Sequence, residues 1–177
     1  MPLYHFSEDP SITRFDPRPP LARPEVEPLV WAIDDWHQPM YYFPRDCPRA
    51  CFWPGADTSA EHRERWYRGV DAQMVIAVES AWLERIRGTH LYRYAMPDET
   101  FELVDACAGH WVSHEPVVPL SVEPVGDLLT ALASARVELR ITPSLAGLWR
   151  EIIQTTMCFS GTRLRNAEGW AELATGS

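Results

Sequence analysis

Proline is the residue type that most restricts the fold of this chain. Eleven of its sixteen prolines lie in residues 1–56, and five of these fall in residues 11–28. A proline ring cannot occupy the interior of a helix or of a central strand, because it lacks the backbone N–H and fixes φ. We therefore expect residues 11–28 to form an ordered, extended loop.

Hydrophobic patterning predicts short strands on both sides of this loop and through the rest of the chain. Residues 90–96 and 101–105 are expected to pair with each other around a turn at Pro97. Residues 159–167 show no regular pattern and are expected to be irregular. The pattern predicts strands at residues 3–7, 29–34, 40–43, 73–79, 90–96, 101–105, 111–118 and 137–142.

Two apolar stripes at helical spacing predict helices in the second half of the chain. One spans residues 125–132, with Pro124 in its expected first turn, and the other spans residues 145–153, with Ser144 as its expected N-cap. Several strands with scattered helices, rather than a regular βαβ alternation, indicate an α+β fold.

A length of 177 residues fits one compact domain. We expect a single α+β domain over residues 1–167, followed by a flexible tail at residues 168–177. The apolar runs are too short to span a bilayer, and the first residues do not resemble a secretory signal, so we expect a cytoplasmic protein with no membrane segment.

The charge of the chain excludes several functions. The formal net charge is −9 and all sixteen basic residues are arginine. An acidic chain is a poor partner for duplex DNA or RNA, whose phosphates need a basic face. Without lysine, neither a Schiff base nor a phosphate-binding P-loop lysine is available.

Two arginines that directly follow prolines form the most unusual candidate for a binding site. Arg45 and Arg49 lie four residues apart on a restricted backbone. Guanidinium groups held in this way offer bidentate hydrogen bonds to a phosphate or carboxylate at low entropic cost. The structural alternative is that Asp46 pairs with an arginine in a rigid corner. The other arginines that could reach the same site are Arg18 and Arg140.

Charge is also distributed unevenly along the chain. Residues 136–177 carry five arginines against four acids, whereas residues 101–135 carry five acids and no basic residue. The local positive excess lies at Arg163, Arg165 and Asn166. Such an asymmetry can steer a small anionic or nucleotide ligand, although a solvated surface explains it equally well.

Several uncommon motifs are shared with a family of bacterial proteins. These motifs resemble an uncharacterised, domain-of-unknown-function family of about this length, and the resemblance extends over residues 3–167. It implies no activity. The motifs are Tyr4–Glu8, Val30–Asp34, Pro44–Arg49 and Glu138–Arg140.

The chain is also similar, more distantly, to the ADP-ribosyltransferase-like fold. The similar elements are the opening strand at Leu3–His5 and the strand at Val30–Asp34, which is followed by Tyr41 and Tyr42. This similarity implies two small sheets with NAD bound in a cleft between them and transfer of ADP-ribose.

The same similarity implies a role for each site residue. His5 would hydrogen-bond the nicotinamide ribose, and Tyr42 would stack on the nicotinamide. A glutamate would stabilise the positive transition state, and Glu115, Glu123 and Glu138 are the alternatives. The arginines would hold the phosphates.

Ser113 is a further candidate for cofactor binding, together with Tyr41. Trp111, Ser113 and Glu115 stand at every second position, so they would lie on one side of a strand. This arrangement would place an aromatic wall beside a carboxylate. Any half-buried strand shows the same alternation.

Neither metal binding nor catalysis is required by the sequence. The spacing of Cys47 and Cys51 is not typical of a zinc site, and His110 and His114 would lie about 13 Å apart on an extended segment. We therefore expect no metal. The alternative to an enzyme is a non-catalytic protein that binds a small molecule or a partner protein, in which the proline and arginine motifs only fix loop geometry.

Overall fold

The computed structural model describes residues 1–19 and 27–171, and these form two compact units. Unit 1 comprises Met1–Tyr42 and His90–Gly126, and unit 2 comprises Phe43–Thr89 and Asp127–Ser177. Each unit contains one sheet, one antiparallel and one mixed, so the expected α+β class is confirmed. The domain boundary expected at residue 167 stays a prediction, and residues 172–177 of the expected tail lie outside the described residues.

Unit 1 is built on a six-stranded antiparallel sheet in the order β6-β7-β2-β1-β5-β8. The strand β1, at the centre, pairs with β2 on one side and with β5 on the other. The strands are β1 (Leu3–Ser7), β2 (Val30–Asp34), β5 (Tyr92–Met96), β6 (Glu102–Asp105), β7 (His110–Ser113) and β8 (Ser121–Pro124).

The two faces of this sheet differ. The first, which we call the loop-covered face, carries Leu3, Ala32 and Tyr94, and these pack with Phe15 and Val117 from the loops. Backbone hydrogen bonds of 2.8 Å in both directions join the last two residues. The hydrophobic core of unit 1 on this face therefore lies between the sheet and the proline-rich loop.

The second face, which we call the aromatic face, carries Tyr4, Phe6, Trp31, Arg93 and His110, because register pairing places these side chains on the side opposite to Leu3. All five are half-buried.

The extended loop expected at residues 11–28 is confirmed where the structure describes it. The Tyr94 hydroxyl donates to the carbonyl of Asp9 at 2.6 Å and accepts from the amide of Ile12 at 3.2 Å. Arg18 and Leu29 form an isolated antiparallel bridge. Residues 20–26 of this expected loop lie outside the described residues.

Unit 2 contains a four-stranded sheet in the order β10-β3-β4-β9. The pair β4–β9 is parallel, and the other pairs are antiparallel. All residues of β3 and β4 are buried, so these strands form the centre of the unit. The elements are β3 (Arg49–Trp53), α1 (Ala60–Tyr67), β4 (Met74–Glu79), α2 (Leu83–Gly88), α3 (Leu128–Ser134), β9 (Val137–Thr142), α4 (Ala146–Ile152) and β10 (Cys158–Thr162).

Two strand predictions are wrong. One concerns a segment that does not form a strand, and the other concerns which strands pair with each other. The run at residues 40–43 forms no strand, because its first two residues end a 3-10 helix at Gln38–Tyr41 and its last two form a bend. Pro39 occupies the first turn of this helix and suits a helical start. Residues 90–96 and 101–105 do contain β5 and β6, but these strands do not pair with each other. Instead β5 pairs with β1 and β8, and β6 pairs with β7.

A third prediction is wrong at residues 159–167, where β10 was not expected. Its sequence Cys-Phe-Ser-Gly-Thr contains a glycine, a residue type that is depleted in strands, and its pairing with the buried β3 holds it in the sheet. The predicted helices at residues 125–132 and 145–153 are confirmed as α3 and α4 with shifted ends. Their expected start signals are wrong, because Pro124 ends β8 and Leu145, not Ser144, is the N-cap of α4. Asp127 caps α3 by accepting from the amide of Thr130.

Among the described ranges, no helix has the length and apolar character that crossing a membrane would need.

His114, after β7, is held by two carboxylates. Its Nδ1 lies 3.2 Å from Glu27 and its Nε2 3.1 Å from Glu102. The hydrogen bond to Glu102 is the largest cause of a raised pKa for His114, which burial opposes and Glu27 supports. The protonated form is therefore stabilised in the folded chain. This stabilisation is present below the unfolded pKa and is lost as the pH rises through the folded pKa.

We expect an NMR titration of His114 to give a midpoint above its ordinary value of 6.5. Substitution Glu102→Gln removes the larger cause and should lower the midpoint, whereas the exposed His90 serves as an internal reference. An unchanged His114 midpoint in that variant would contradict the assignment.

Candidate arginine site

The register between β10 and β3 brings two distant arginine segments together in unit 2. Arg49 begins β3 and is paired with Thr162, the last residue of β10. Because the strands are antiparallel, the residues before Arg49 lie beside the residues after Thr162. The first segment contributes Arg45 and Arg49, and the second contributes Arg163 and Arg165. We call these four residues the arginine cluster.

Two side chain to backbone hydrogen bonds join these segments directly. The Nε of Arg163 donates to the carbonyl of Arg45 at 3.1 Å, and Nδ2 of Asn166 donates to the carbonyl of Asp46 at 2.8 Å. Arg163 adopts a left-handed backbone conformation, with φ 54° and ψ 25°. Such a conformation is costly for a residue with a Cβ, and functional sites often contain it.

Arg49 fixes the buried side of the cluster. Its side chain is covered, with 2% of the residue exposed. The guanidinium donates to the carbonyl of Cys47 at 2.9 Å and lies over the ring of Phe43, 5.3 Å from the centroid. A buried guanidinium with its fork set by these contacts is a pre-organised cation.

The cluster is a concentration of like charges. Burial is the largest cause of a lowered pKa for Arg163, and the charges of Arg165, Arg45 and Arg49 lower it further. The carboxylate of Asp46 acts in the opposite direction. Guanidinium groups close enough to lower the pKa of Arg163 form a region of positive potential.

Ion pairing separates Arg163 and Arg165 from most other arginines of unit 2. Arg65, Arg136 and Arg140 each form an ion pair with a carboxylate at 2.7–2.8 Å. Within residues 1–19 and 27–171, neither Arg163 nor Arg165 forms one. Positive charge is therefore retained at these two residues.

Cysteines beside the cluster are not nucleophiles. Burial raises the pKa of both Cys47 and Cys51 to about 12. A thiol reacts as its thiolate, so both remain inert near neutral pH. The chemistry of this region therefore belongs to the arginines.

The other predicted site residues of unit 2 lie at the opposite edge of its sheet. Glu138 and Arg140 are on β9, and β9 and β10 are the two edge strands. They form an ion pair of 2.7 Å with each other, and the Arg140 guanidinium lies over the ring of Phe52. The structure therefore does not bring Glu138 and Arg140 to the arginine cluster.

In unit 1 the sheet separates the two residues predicted to hold a nicotinamide. His5 points to the loop-covered face, where its ring lies 4.6 Å from Phe15 and its Nδ1 2.8 Å from the carbonyl of Trp31. Tyr42 is buried against Phe6, which is the next residue of β1 and points to the aromatic face. The structure thus does not bring His5 and Tyr42 together.

Glu123, the other predicted catalytic carboxylate, is bound by Arg93. Both Nε and Nη2 of Arg93 donate to the same oxygen of Glu123. Arg93 also donates to Gln38 and lies over the ring of Tyr4, 4.7 Å from its centroid. Burial raises the pKa of Tyr42, and the charge of Arg93 opposes this. This set of contacts makes Arg93 the centre of a polar network.

The remaining predicted residues have structural contacts. Ser113 is fully buried, donates to Thr100, and also interacts with the backbone of Glu115. Tyr41 is hydrogen-bonded to Nε2 of His110 at 3.0 Å, and Arg18 pairs through its backbone with Leu29. The roles proposed for these side chains in ligand binding stay predictions.

Sequence reasoning missed one chemically notable pair in unit 1. Asp34 accepts hydrogen bonds from both the backbone amide and the ring Nδ1 of His37. The sequence offered a basis for predicting the contact with the amide, because an aspartate that ends a strand commonly accepts a hydrogen bond from the third following amide.

Comparison with known proteins identifies a family to which the chain is similar. The model of a protein family of unknown function matches residues 4–167. This match confirms the resemblance that the sequence motifs indicated, and it spans all four motifs. No curated protein and no solved structure matches the chain at a significant level.

Proposed function

The chain belongs to the family of unknown function DUF6886, and from the arrangement of its own residues we propose that it binds a small anionic ligand through the arginine cluster of unit 2. The ligand carries a phosphate or carboxylate group. The observation that carries this proposal is that the β10–β3 register brings Arg163 and Arg165 to Arg45 and Arg49.

The energetics of the cluster favour an anion as its partner. Like charges at close range repel, and the pairing of β3 with β10 opposes their separation. An anion between the guanidinium groups would offset that repulsion and gain charge-assisted hydrogen bonds. Arg65 and Arg136, by contrast, each form an ion pair with a carboxylate.

Charge distribution between the units supports the same location. Unit 1 has thirteen acidic residues and four arginines, whereas unit 2 has twelve of each. The whole net charge of −9 thus resides in unit 1, and unit 2 is formally neutral. An anion therefore meets no net repulsion from unit 2 itself.

The similarity to the ADP-ribosyltransferase-like fold leads to a narrower version of this proposal, in which the anion is the diphosphate of NAD or another nucleotide. His5 and Tyr42 lie on opposite faces of the unit 1 sheet, which weighs against their holding the ribose and the nicotinamide ring of one NAD molecule. We therefore propose anion binding as the primary function and NAD as one ligand to test, in a bacterial cytoplasmic protein.

Removing two charges from the cluster tests the proposal. The double substitution Arg163→Gln and Arg165→Gln should weaken anion binding at least tenfold, because each lost charge-assisted hydrogen bond costs about 1.5–3 kcal/mol. Isothermal titration calorimetry with inorganic phosphate, diphosphate, a dicarboxylate, ATP and NAD provides the measurement. The matched control is Arg63→Gln, an exposed arginine of α1.

The outcomes separate the alternatives. Binding of phosphate or diphosphate that the double variant loses and the control keeps supports the anion site. Tight binding of NAD alone, lost in His5→Ala, would instead favour the ADP-ribosyltransferase hypothesis. If wild type and double variant bind every anion equally weakly, the cluster is a structural corner and the protein fits the non-catalytic alternative.

A further inference from the structure

Exposed apolar side chains are concentrated at one edge of the unit 1 sheet. Among residues 1–19 and 27–171, nine large apolar side chains are exposed, and four of them lie at this edge. Val118 is 63% exposed, Leu120 71% and Val122 44%, and these three stand at alternate positions along the chain. A group of neighbouring exposed apolar residues commonly marks an interaction surface. We call these three residues, together with Met1, the β8 patch.

A cavity of about 270 Å³ adjoins the β8 patch within unit 1. Met1 and Leu120 line it, and Leu3 and Met96 contribute further apolar surface. Pockets for drug-sized ligands measure about 300–1,000 Å³. Because this cavity lies below that range, it suits an apolar side chain of a partner better than a free ligand of that size.

The strand β8 also offers backbone groups for pairing. It lies at the edge of the sheet, and within the described ranges it pairs with β5 alone. The amide of Val125 donates to the carbonyl of Leu91 at 2.8 Å, so Val125 faces the sheet. Successive residues of an antiparallel strand face the partner strand and the opposite side alternately. Val122 therefore directs its N–H and C=O outward, as does Pro124, whose missing N–H costs the ladder no bond.

The opposite edge strand, β6, is less suited to pairing with another strand. Its register with β7 is interrupted between Leu103 and Asp105, whereas β8 follows β5 in regular register from Ser121 to Pro124. Such an irregularity twists an edge and protects it from further pairing. The cavity, the β8 patch and the regular edge therefore coincide at β8.

Charge defines the kind of partner that fits this edge. Unit 1 carries the entire net charge of −9. Two carboxylates line the cavity: Asp98 binds the terminal ammonium group of Met1, and the exposed Glu99 has no ion pair in the part of the chain that the structure describes. Opposite charges favour a basic partner. Two copies of unit 1 joined through β8 would instead bring like charges together.

We propose that β8 is the docking edge for an extended, basic segment of a partner protein. The segment adds a strand to the sheet by pairing with the backbone of Val122, and one of its apolar side chains enters the cavity beside Leu120. Its lysines or arginines lie near Glu99. This inference rests on unit 1 alone and does not depend on the arginine cluster, whose ligand is an anion.

Fluorescence anisotropy with labelled synthetic peptides tests the docking edge. The probe is a short peptide of alternating lysine and leucine, and the same peptide with glutamate in place of lysine should bind about tenfold or more weakly. Val122→Pro removes the outward N–H without removing a bond to β5, and Leu120→Ser removes an apolar wall of the cavity. We expect each variant to weaken binding of the lysine peptide about tenfold or more.

The matched control is Leu103→Ser, which changes a leucine that is 47% exposed on the opposite edge strand. It should alter the affinity by less than about twofold. A measurement on the unchanged protein covers the case in which a variant fails to fold. A lysine–leucine peptide methylated at every backbone nitrogen keeps its side chains but donates no backbone hydrogen bond, so it should bind the wild type about tenfold or more weakly.

Four results would overturn the proposal. If the lysine peptide does not bind the wild type, the edge does not accept a basic segment. Equal losses for Leu103→Ser and Leu120→Ser would mean that the peptide is attracted to the charge of unit 1 as a whole. Undiminished binding of the methylated peptide would exclude strand addition. A dimer of the protein alone in analytical ultracentrifugation, abolished by Val122→Pro, would identify a second copy of this chain as the occupant.

Discussion

Replacing Glu79 with alanine is expected to lower the free energy of unfolding by about 3 kcal/mol or more. Glu79 ends β4 with 3% of its surface exposed. Its carboxylate accepts the amide of Leu145 at 3.1 Å and that of Glu168 at 3.0 Å. Because Leu145 is fully buried and immediately precedes α4, its amide would lose its partner without gaining water.

Urea unfolding followed by circular dichroism measures this loss. The matched control is Glu84→Ala in α2, whose side chain is 85% exposed and paired with Arg87, and which should change stability by less than about 0.5 kcal/mol. Glu79→Gln keeps the shape and one acceptor oxygen, so we expect an intermediate loss. A Glu79→Ala protein as stable as the Glu84→Ala control would show that the buried carboxylate is not a structural clamp.

The strands with strong local patterns were predictable. The alternation in β1 and β9 and the apolar runs in β2 and β4 place these strands within one residue of their observed ends. In β2 and β4 most of the side chains that define the pattern are the ones that the sheet buries. Local sequence therefore contains the needed information when burial alone selects the conformation.

The arginine cluster was only half predictable, because it depends on a non-local pairing. The motif at Pro44–Arg49 indicated two of the arginines, and local charge indicated Arg163 and Arg165. Their meeting requires β10, whose serine and glycine do not resemble a strand. The pairing joins residues more than a hundred positions apart, and no periodicity in either segment contains that register.

The nicotinamide hypothesis depended on information that a strand pattern lacks. Period-two alternation shows that His5 and Phe6 face opposite ways, but not which face a given loop will cover. The segment around Phe15 packs over His5, and the segment around Tyr42 packs over Phe6. The direction in which each loop leaves the sheet therefore decided the outcome.

Replacing Gly109 with alanine is expected to lower the free energy of unfolding of the protein by about 2–5 kcal/mol. About 1–2 kcal/mol arises from the left-handed backbone at φ +68°. The remainder, about 1–3 kcal/mol, arises because the new methyl group would overlap His37 and Asp34 and force them apart.

Gly126→Ala is the control that separates these two causes. Gly126 also belongs to unit 1 and has φ +84°, but a Cβ there meets nothing within 4 Å. It should therefore show the backbone cost alone, and the difference between the two variants in a urea titration measures the contact of the new methyl group with Asp34 and His37. Equal losses for both glycines would mean that the ring of His37 moves away at no cost. That result would show that the close contact of Asp34 and His37 with the turn at Gly109 does not hold the ring of His37 in place.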